Sequence, residues 1–469
     1  MRGPGDVVFV SCYEPGHQPQ GVASAIAFLR RAGFQPTALD LAVEPLDDAA
    51  RARLAAARFV AISVPMHTAL VLGRRVAAHV RRENPRAHLC IFGMYATLNH
   101  ALLAGEADSV LGPDCELQLV DLAESLAAGT ATSVAPRLPG RQAALVPDRS
   151  ALPALGKYAR LAIAGEQRTA GHVETTRGCK HLCRHCPIPP VYEGRFYAVP
   201  ADIVLADARA QIAAGARHID FGDPDFLNGP QHALRIAQAL HAEHPAVTFS
   251  FTAKVEHIVA QCALIPELAA AGALFVVSAV ESLSDRVLGA LAKGHSAADV
   301  PRALEIVRAA GLSLRPTFVA FTPWTTLDDY LNLCRFIRAH ALEEEVDPVQ
   351  LSLRLLVPPG SALLSAPDIA PFLGPLDAEA LSYRWTHPDP RMDRLEAEVA
   401  ALVEAAAQDG APPAATFRQI HRLAATAAGL PDEAPAQNRI GLRPRSEPPH
   451  LTESWFCCAQ PTRRQLDAF

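Results

Sequence analysis

The sequence has no apolar run long enough to cross a bilayer, and no charged-then-apolar leader follows Met1. A soluble, cytoplasmic protein with no membrane partner is therefore expected. Charge is also scarce: charged residues make up 20% of the 469, and the net charge is −6. That balance offers no electrostatic footprint for nucleic acid, so none is expected as a partner. What the chain has in quantity is apolar material, 50% of its residues, over a length that exceeds one ordinary core. Two or three domains are expected. Its ten cysteines point to reduced thiols and metal chemistry rather than disulfides.

Three of those cysteines lie together in the run Thr175 to Pro187, where Cys179, Cys183 and Cys186 are spaced C-x3-C-x2-C. Three thiols leave one site of a four-iron cluster, or of a zinc ion, without a ligand. Spacing alone leaves open a zinc knob completed by His181 or His185. Pro187, Pro189 and Pro190 argue against a helix through the run, so it reads as a loop after the strand opened by His172 to Thr175. The run resembles the cluster loop of the radical S-adenosylmethionine (SAM) superfamily, with His185 where that family usually has an aromatic residue. The resemblance implies a [4Fe-4S] cluster on Cys179, Cys183 and Cys186 and SAM bound through its amino and carboxylate groups to the open iron. An electron donor such as flavodoxin or ferredoxin would drive cleavage of a sulfonium carbon–sulfur bond.

Ahead of this loop, residues 1–128 alternate short apolar runs with helical patterns. Asp6 to Cys12, Thr37 to Leu41, Phe59 to Val64, His88 to Phe92 and Asp108 to Leu111 read as buried strands of a Rossmann-like, doubly wound parallel sheet. Ligands of such sheets bind beyond the carboxyl ends of the strands. The arrangement is similar to the cobalamin-binding domain that precedes the barrel in many radical SAM enzymes. No D-x-H-x-x-G supplies an axial histidine. Base-off binding needs none, so cobalamin is possible, but a repurposed domain is the favoured reading. Residues 129–165 read as a linker.

Residues 166–370 alternate helix and strand, with strands at His218 to Phe221, Val247 to Thr252, Leu274 to Ala279, Ser313 to Ala320 and Gln350 to Leu356. With the strand before the cluster loop they predict a six-strand (β/α) partial barrel of the superfamily type, so that the fold class is α/β throughout. Gly222, Asp223 and Asp225 stand where the resemblance implies a Gly-Gly-Glu segment receiving the SAM amino group. Ser278 and Glu281 stand at the strand end that would contact ribose; the alternative for Glu281 is a helix-start acid. Lys254 and Arg315 are candidates for the SAM carboxylate, each against a structural ion pair. Cys12, Cys90 and Cys115 read as buried small hydrophobes, and Cys262 and Cys334 as core positions on helices.

Residues 371–469 read as a helical extension with helices near Met392 to Gln408 and Ala415 to Ala428, then a Pro-rich stretch ending in Trp455-Phe456-Cys457-Cys458-Ala459-Gln460-Pro461. This ending resembles a radical SAM group with a Cys-Cys-Ala-Glu-Pro tail or its selenocysteine equivalent. It is also similar to enzymes of arsinothricin-type biosynthesis, which implies transfer of the 3-amino-3-carboxypropyl group of SAM to arsenite held by Cys457 and Cys458, soft ligands for a soft centre. Two alternatives stand beside that reading: a cobalamin-dependent methyltransferase using the 5′-deoxyadenosyl radical, and a non-catalytic zinc-binding protein. Replacing Cys179, Cys183 or Cys186 by Ala is expected to remove the iron and the broad visible absorbance of the anaerobically reconstituted protein; iron and absorption spectra check this.

Overall fold

The computed structural model describes residues 1–130, 139–140, 143–431, 447–453 and 460–467. In chain order the first strands are β1 (Val7–Ser11), β2 (Thr37–Asp40), β3 (Phe59–Ser63), β4 (His88–Phe92) and β5 (Ser109–Leu111). They form a wholly parallel sheet in the order β2-β1-β3-β4-β5. Every residue of β1 and β3 is buried, because helices cover both faces. Val7 and Phe9 point to the side of helices Gln20–Arg31 and Glu116–Ala128, whereas Val8 and Val10 point to the side of Asp48–Ala56 and His67–Glu83. The expected doubly wound sheet is therefore present, and its order reverses between β1 and β3, which opens a crevice at their carboxyl ends.

The second sheet is built from β6 (Arg160–Ile163), β7 (Glu166–Val173), β10 (His218–Phe221), β11 (Thr248–Thr252), β12 (Ala273–Glu281), β13 (Ser313–Phe318) and β16 (His450–Leu451). Between these run a small hairpin of β8 (Thr176–Gly178) and β9 (Phe196–Ala198) and another of β14 (Leu373–Asp377) and β15 (Ser382–Trp385). β7 and β10 to β13 are parallel and curl into a partial barrel with helices outside. β6 and then β16 extend the β7 edge antiparallel. Residues 160–163, expected in a linker, thus belong to the sheet. Helices Pro390–Gln408 and Pro413–Ala427 form much of the C-terminal extension.

The sixth barrel strand expected at Gln350 to Leu356 does not form. A short 3-10 helix occupies Pro348–Leu351, and only an isolated bridge pairs Phe321 with Arg354. The physical reason lies at Gln350, whose side-chain carbonyl accepts the Phe318 N–H at 3.1 Å, so a side chain takes the edge position that a sixth backbone would have used. Cys12, Cys90, Cys115 and Cys334 are buried as expected, but Cys262 is exposed, in the turn between helices Val255–Ala260 and Leu264–Ala270.

The two sheets are joined by buried charge. Arg177, in β8, meets Asp114 at 3.0 Å and Glu116 at 2.8 Å from the N-terminal domain, and Glu174 at 3.7 Å from its own. Its hold on them is mutual: burial would lower the guanidinium's pKa, but the three carboxylates drive it well above its ordinary value. Removing a buried cation from such a group leaves carboxylates that cannot stay charged cheaply. Arg177→Met should cost about 3–5 kcal/mol of stability at pH 8 and less at pH 5, where the orphaned carboxyls take up protons; chemical denaturation at the two pH values checks it.

Candidate active site

The carboxyl ends of the two parallel sheets face each other across one cavity of about 340 Å³. From the first sheet, the loops after β1, β3 and β4 contribute Glu14, Pro15, His17, Pro65, Met66, Met94 and Tyr95. The opposite wall carries Cys179, Cys183 and Cys186 together with Lys254, Glu281, Lys293 and Arg315. Between them the lining is largely apolar, including Phe275, Val277, Ala279, Pro316, Phe318 and Leu355. The domains touch face to face at His17 and His172, whose rings stack with centroids 3.5 Å apart, and Asp220 sits 3.2 Å from the His172 ring.

The C-x3-C-x2-C loop is shaped from both sides. Gly178 has φ +80, and a Cβ there would lie 2.5 Å from the Arg195 carbonyl oxygen, so the turn into Cys179 demands glycine. Cys179 and Cys183 are buried and Cys186 half-buried, and none of the three is in a disulfide. Among the described residues, one trio of His, Cys, Asp or Glu ligand atoms converges within 4.8 Å, and it does not include these sulfurs. A tetrahedral zinc thiolate site would draw its sulfurs to about 3.8 Å from one another, given bonds near 2.3 Å. Three thiols spread along one wall fit a polynuclear cluster instead. Nor is His185 free to complete a zinc knob: it lies 3.1 Å from Glu281.

Glu281 is the charged pivot of the barrel wall. β12 carries an irregularity in its pairing with β13 just before it, and the residue has φ +66, a costly conformation for a side chain other than glycine. That backbone turn brings its carboxylate to Lys293 at 3.2 Å as well as to His185. Burial alone would push the carboxyl up, but Lys293 and then His185 overcome it and hold it at about 2. Lys293 is raised in turn, since Glu281, Cys183 and Cys186 outweigh its desolvation. No motif marks Lys293 in the sequence; its only signal is a lysine soon after a helix that follows the Glu281 strand.

The other anticipated residues separate into those in the cavity and those behind it. Gly222 and Asp223 line it, and a Cβ on Gly222 would collide with the His172 ring. The Asp223 carboxylate accepts from the Thr175 N–H at 3.1 Å, the Thr175 hydroxyl at 2.9 Å and the Thr176 hydroxyl at 2.5 Å, which braces the cluster loop. Burial prevails over these bonds and lifts its pKa to about 6. Lys254 lines the cavity with Glu256 3.4 Å away, and Arg315 lines it while paired to Asp347 at 2.9 Å. Asp225 and Ser278 do not line it; both are fully buried behind the wall. Cys457 and Cys458 lie outside the described residues.

Residues 173–337 match the family model of the radical SAM superfamily. The chain carries a radical SAM domain. The family's cofactors, a [4Fe-4S] cluster and SAM, accord with three thiols outside any disulfide on the wall of a cavity of this size. Two solved structures share the larger architecture. The cobalamin-dependent SAM radical enzyme OxsB with aqua-cobalamin bound superposes with a TM-score of 0.68 at 16% identity over 85% of this chain and 67% of that one. The radical SAM methyltransferase TsrM from Kitasatospora setae, with cobalamin and a [4Fe-4S] cluster bound, gives 0.53 at 18% identity over 71% of this chain and 70% of that one. At such identities the likeness is one of fold. Among the described residues no helix is long and apolar enough to cross a membrane.

Breaking the Glu281–Lys293 pair from one side strands a buried charge. Lys293→Met should cost about 3–5 kcal/mol, and the double change with Glu281→Gln should recover most of it. Because the folded pKa of Glu281 lies below its unfolded value, the pair's contribution is present above pH 4.5 and is lost as pH falls towards 2. Acid unfolding of wild type, the single variants and the double variant checks both statements.

Proposed function

We propose that the protein is a cobalamin-dependent radical SAM methyltransferase working through a 5′-deoxyadenosyl radical. This departs from the aminocarboxypropyl reading that the tail suggests. The observation that carries it is the single cavity walled on one side by the cluster thiols and on the other by the strand ends of the doubly wound domain. A domain merely repurposed for stability would have no need to present its ligand-binding edge to that wall. The solved structures of similar fold, with cobalamin bound, support the same reading.

The first domain's side of the cavity would hold a corrin chiefly by apolar contact. Pro65, Met66 and Met94 would supply that apolar surface. His67, next in sequence, is fully buried and directs Nε2 to the Ala380 carbonyl oxygen at 2.9 Å. When bound, the cluster supplies an electron to the sulfonium and the corrinoid supplies a methyl carrier. The chain's own part is positioning and exclusion of water. Lys254, whose one carboxylate partner is partly exposed, is the cation for the SAM carboxylate. Lys293 balances the charge of the thiolates it faces, and the apolar lining keeps solvent from a radical formed there.

A second reading keeps transfer of the aminocarboxypropyl group to arsenite. One observation favours it: β16 adds to the sheet edge and leads to Leu451 and Glu453 on the cavity wall, Glu453 accepting from Tyr13 at 3.0 Å, four positions before Cys457 in the sequence. The products separate the two. Anaerobic turnover with SAM, dithionite, hydroxocobalamin and arsenite should give 5′-deoxyadenosine and S-adenosylhomocysteine by mass spectrometry. Methylthioadenosine with an arsenic-bearing aminobutyrate would replace the methyltransferase by the second reading.

A further inference from the structure

At the cavity wall, where His181 lines it, and just behind, where Asp225 and His257 stand, lies a group of side chains that the reaction does not use. His181 comes from the cluster loop, Asp225 from the loop after β10, and His257 from the helix after β11. Their ligand atoms fall within 4.8 Å of one another. Asp225 is fully buried, and His257 nearly so. His181 Nε2, Asp225 Oδ2 and His257 Nδ1 are each buried without a hydrogen-bond partner. Three orphaned polar atoms in one place are rare, since each costs about 1–3 kcal/mol when left unmade.

The contact geometry separates an ion site from a plain hydrogen-bonded cluster. His257 Nδ1 stands 2.6 Å from Asp225 Oδ2, yet the pair makes no hydrogen bond, so the ring's donor direction does not run along that line. His181 Nε2 is 3.6 Å from the same oxygen. Two ligands bonded at about 2.1 Å to one ion at 90–110° stand about 3.0–3.4 Å apart, and the two contacts bracket that spacing. The remaining oxygen of Asp225 is committed, capping the Leu227 N–H at 3.0 Å, which fixes the carboxylate's orientation. Glu256 stands 3.6 Å from His181 Nδ1, on the far side of the ring from the trio. A carboxylate behind a ligating imidazole is the usual outer support of a metal-bound histidine.

The geometry points to a mononuclear divalent-metal site formed by His181, Asp225 and His257, separate from the iron–sulfur cluster. Two imidazoles and a carboxylate suit a borderline ion, zinc or iron(II), with a further position for water. The ion ties the loop between Cys179 and Cys183 to the loops that follow β10 and β11. Its role is to position the cluster loop on the barrel.

The test uses protein with its cluster reconstituted, so that the three cysteines are occupied. It is titrated anaerobically with zinc against a chelator and examined at the zinc K-edge. One equivalent should bind with a first shell of nitrogen and oxygen only and the outer-shell pattern of imidazole. His181→Ala and His257→Ala should each weaken binding by roughly 100-fold. Less than stoichiometric binding, sulfur in the first shell, or unchanged affinity in both variants overturns the site. The wild-type spectrum decides even if a variant fails to fold.

Discussion

A guanidinium set among carboxylates of both domains helps hold the two halves of this molecule in register. Arg177 stands two residues before the first cluster cysteine and is bonded to two carboxylates of the other domain. Charge in a dry interface is stable only when matched, and here three acids share one cation. The strain of that sharing is visible in the acids. Burial lifts Asp114 above its ordinary range and carries Glu174 to about 7, whereas Arg177 and Ser24 bring Glu116 below it. Tyr192 adds a hydroxyl to Asp114 at 2.9 Å, so a residue just beyond the cluster loop is anchored to the same node. The loop that carries the three cysteines is thereby anchored to the neighbouring domain.

From that registration the cavity follows. The first sheet and the barrel strands β7 and β10 to β13 are parallel, so their carboxyl ends and the loops that follow fall on one side, where functional groups collect. Joined end to end, the two sheets enclose one apolar space with thiols, two lysines and a paired arginine on one wall. Glu281 and Lys293 set the electrostatics of that wall, and Asp223 braces the loop from beneath. The thiol wall and the carboxyl edge of the doubly wound sheet therefore border one cavity.

The strands of both sheets were legible because fully buried parallel strands are short apolar runs between helical patterns; β10 is read to the residue and β1 to within one. Gln350 to Leu356 misled because its apolar pattern satisfies a strand, while the deciding interaction, a glutamine side chain on Phe318, has no periodicity. β16 pairs with a strand nearly 300 residues earlier, Leu451 against Leu161, and two residues carry no pattern. The cysteine spacing pointed to the thiol wall, strand ends to Gly222, Asp223 and Lys254, and a cation within a strand to Arg315, all of which line the cavity. Ser278 and Asp225 are buried behind the cavity wall, because a strand end does not say which side chains turn inward. Lys293, His185 and Arg177 act through partners distant in sequence, and ion pairs of that kind leave no local signal.

The central claim is that SAM binds in the shared cavity at the open iron of a cluster held by Cys179, Cys183 and Cys186. The most direct measurement is electron paramagnetic resonance of the reduced, cluster-loaded protein before and after SAM is added. A shifted signal, with coupling from isotopically labelled SAM amino and carboxylate groups, is the result this account requires. A signal that SAM leaves unchanged, from a cluster that is present and reducible, would contradict it.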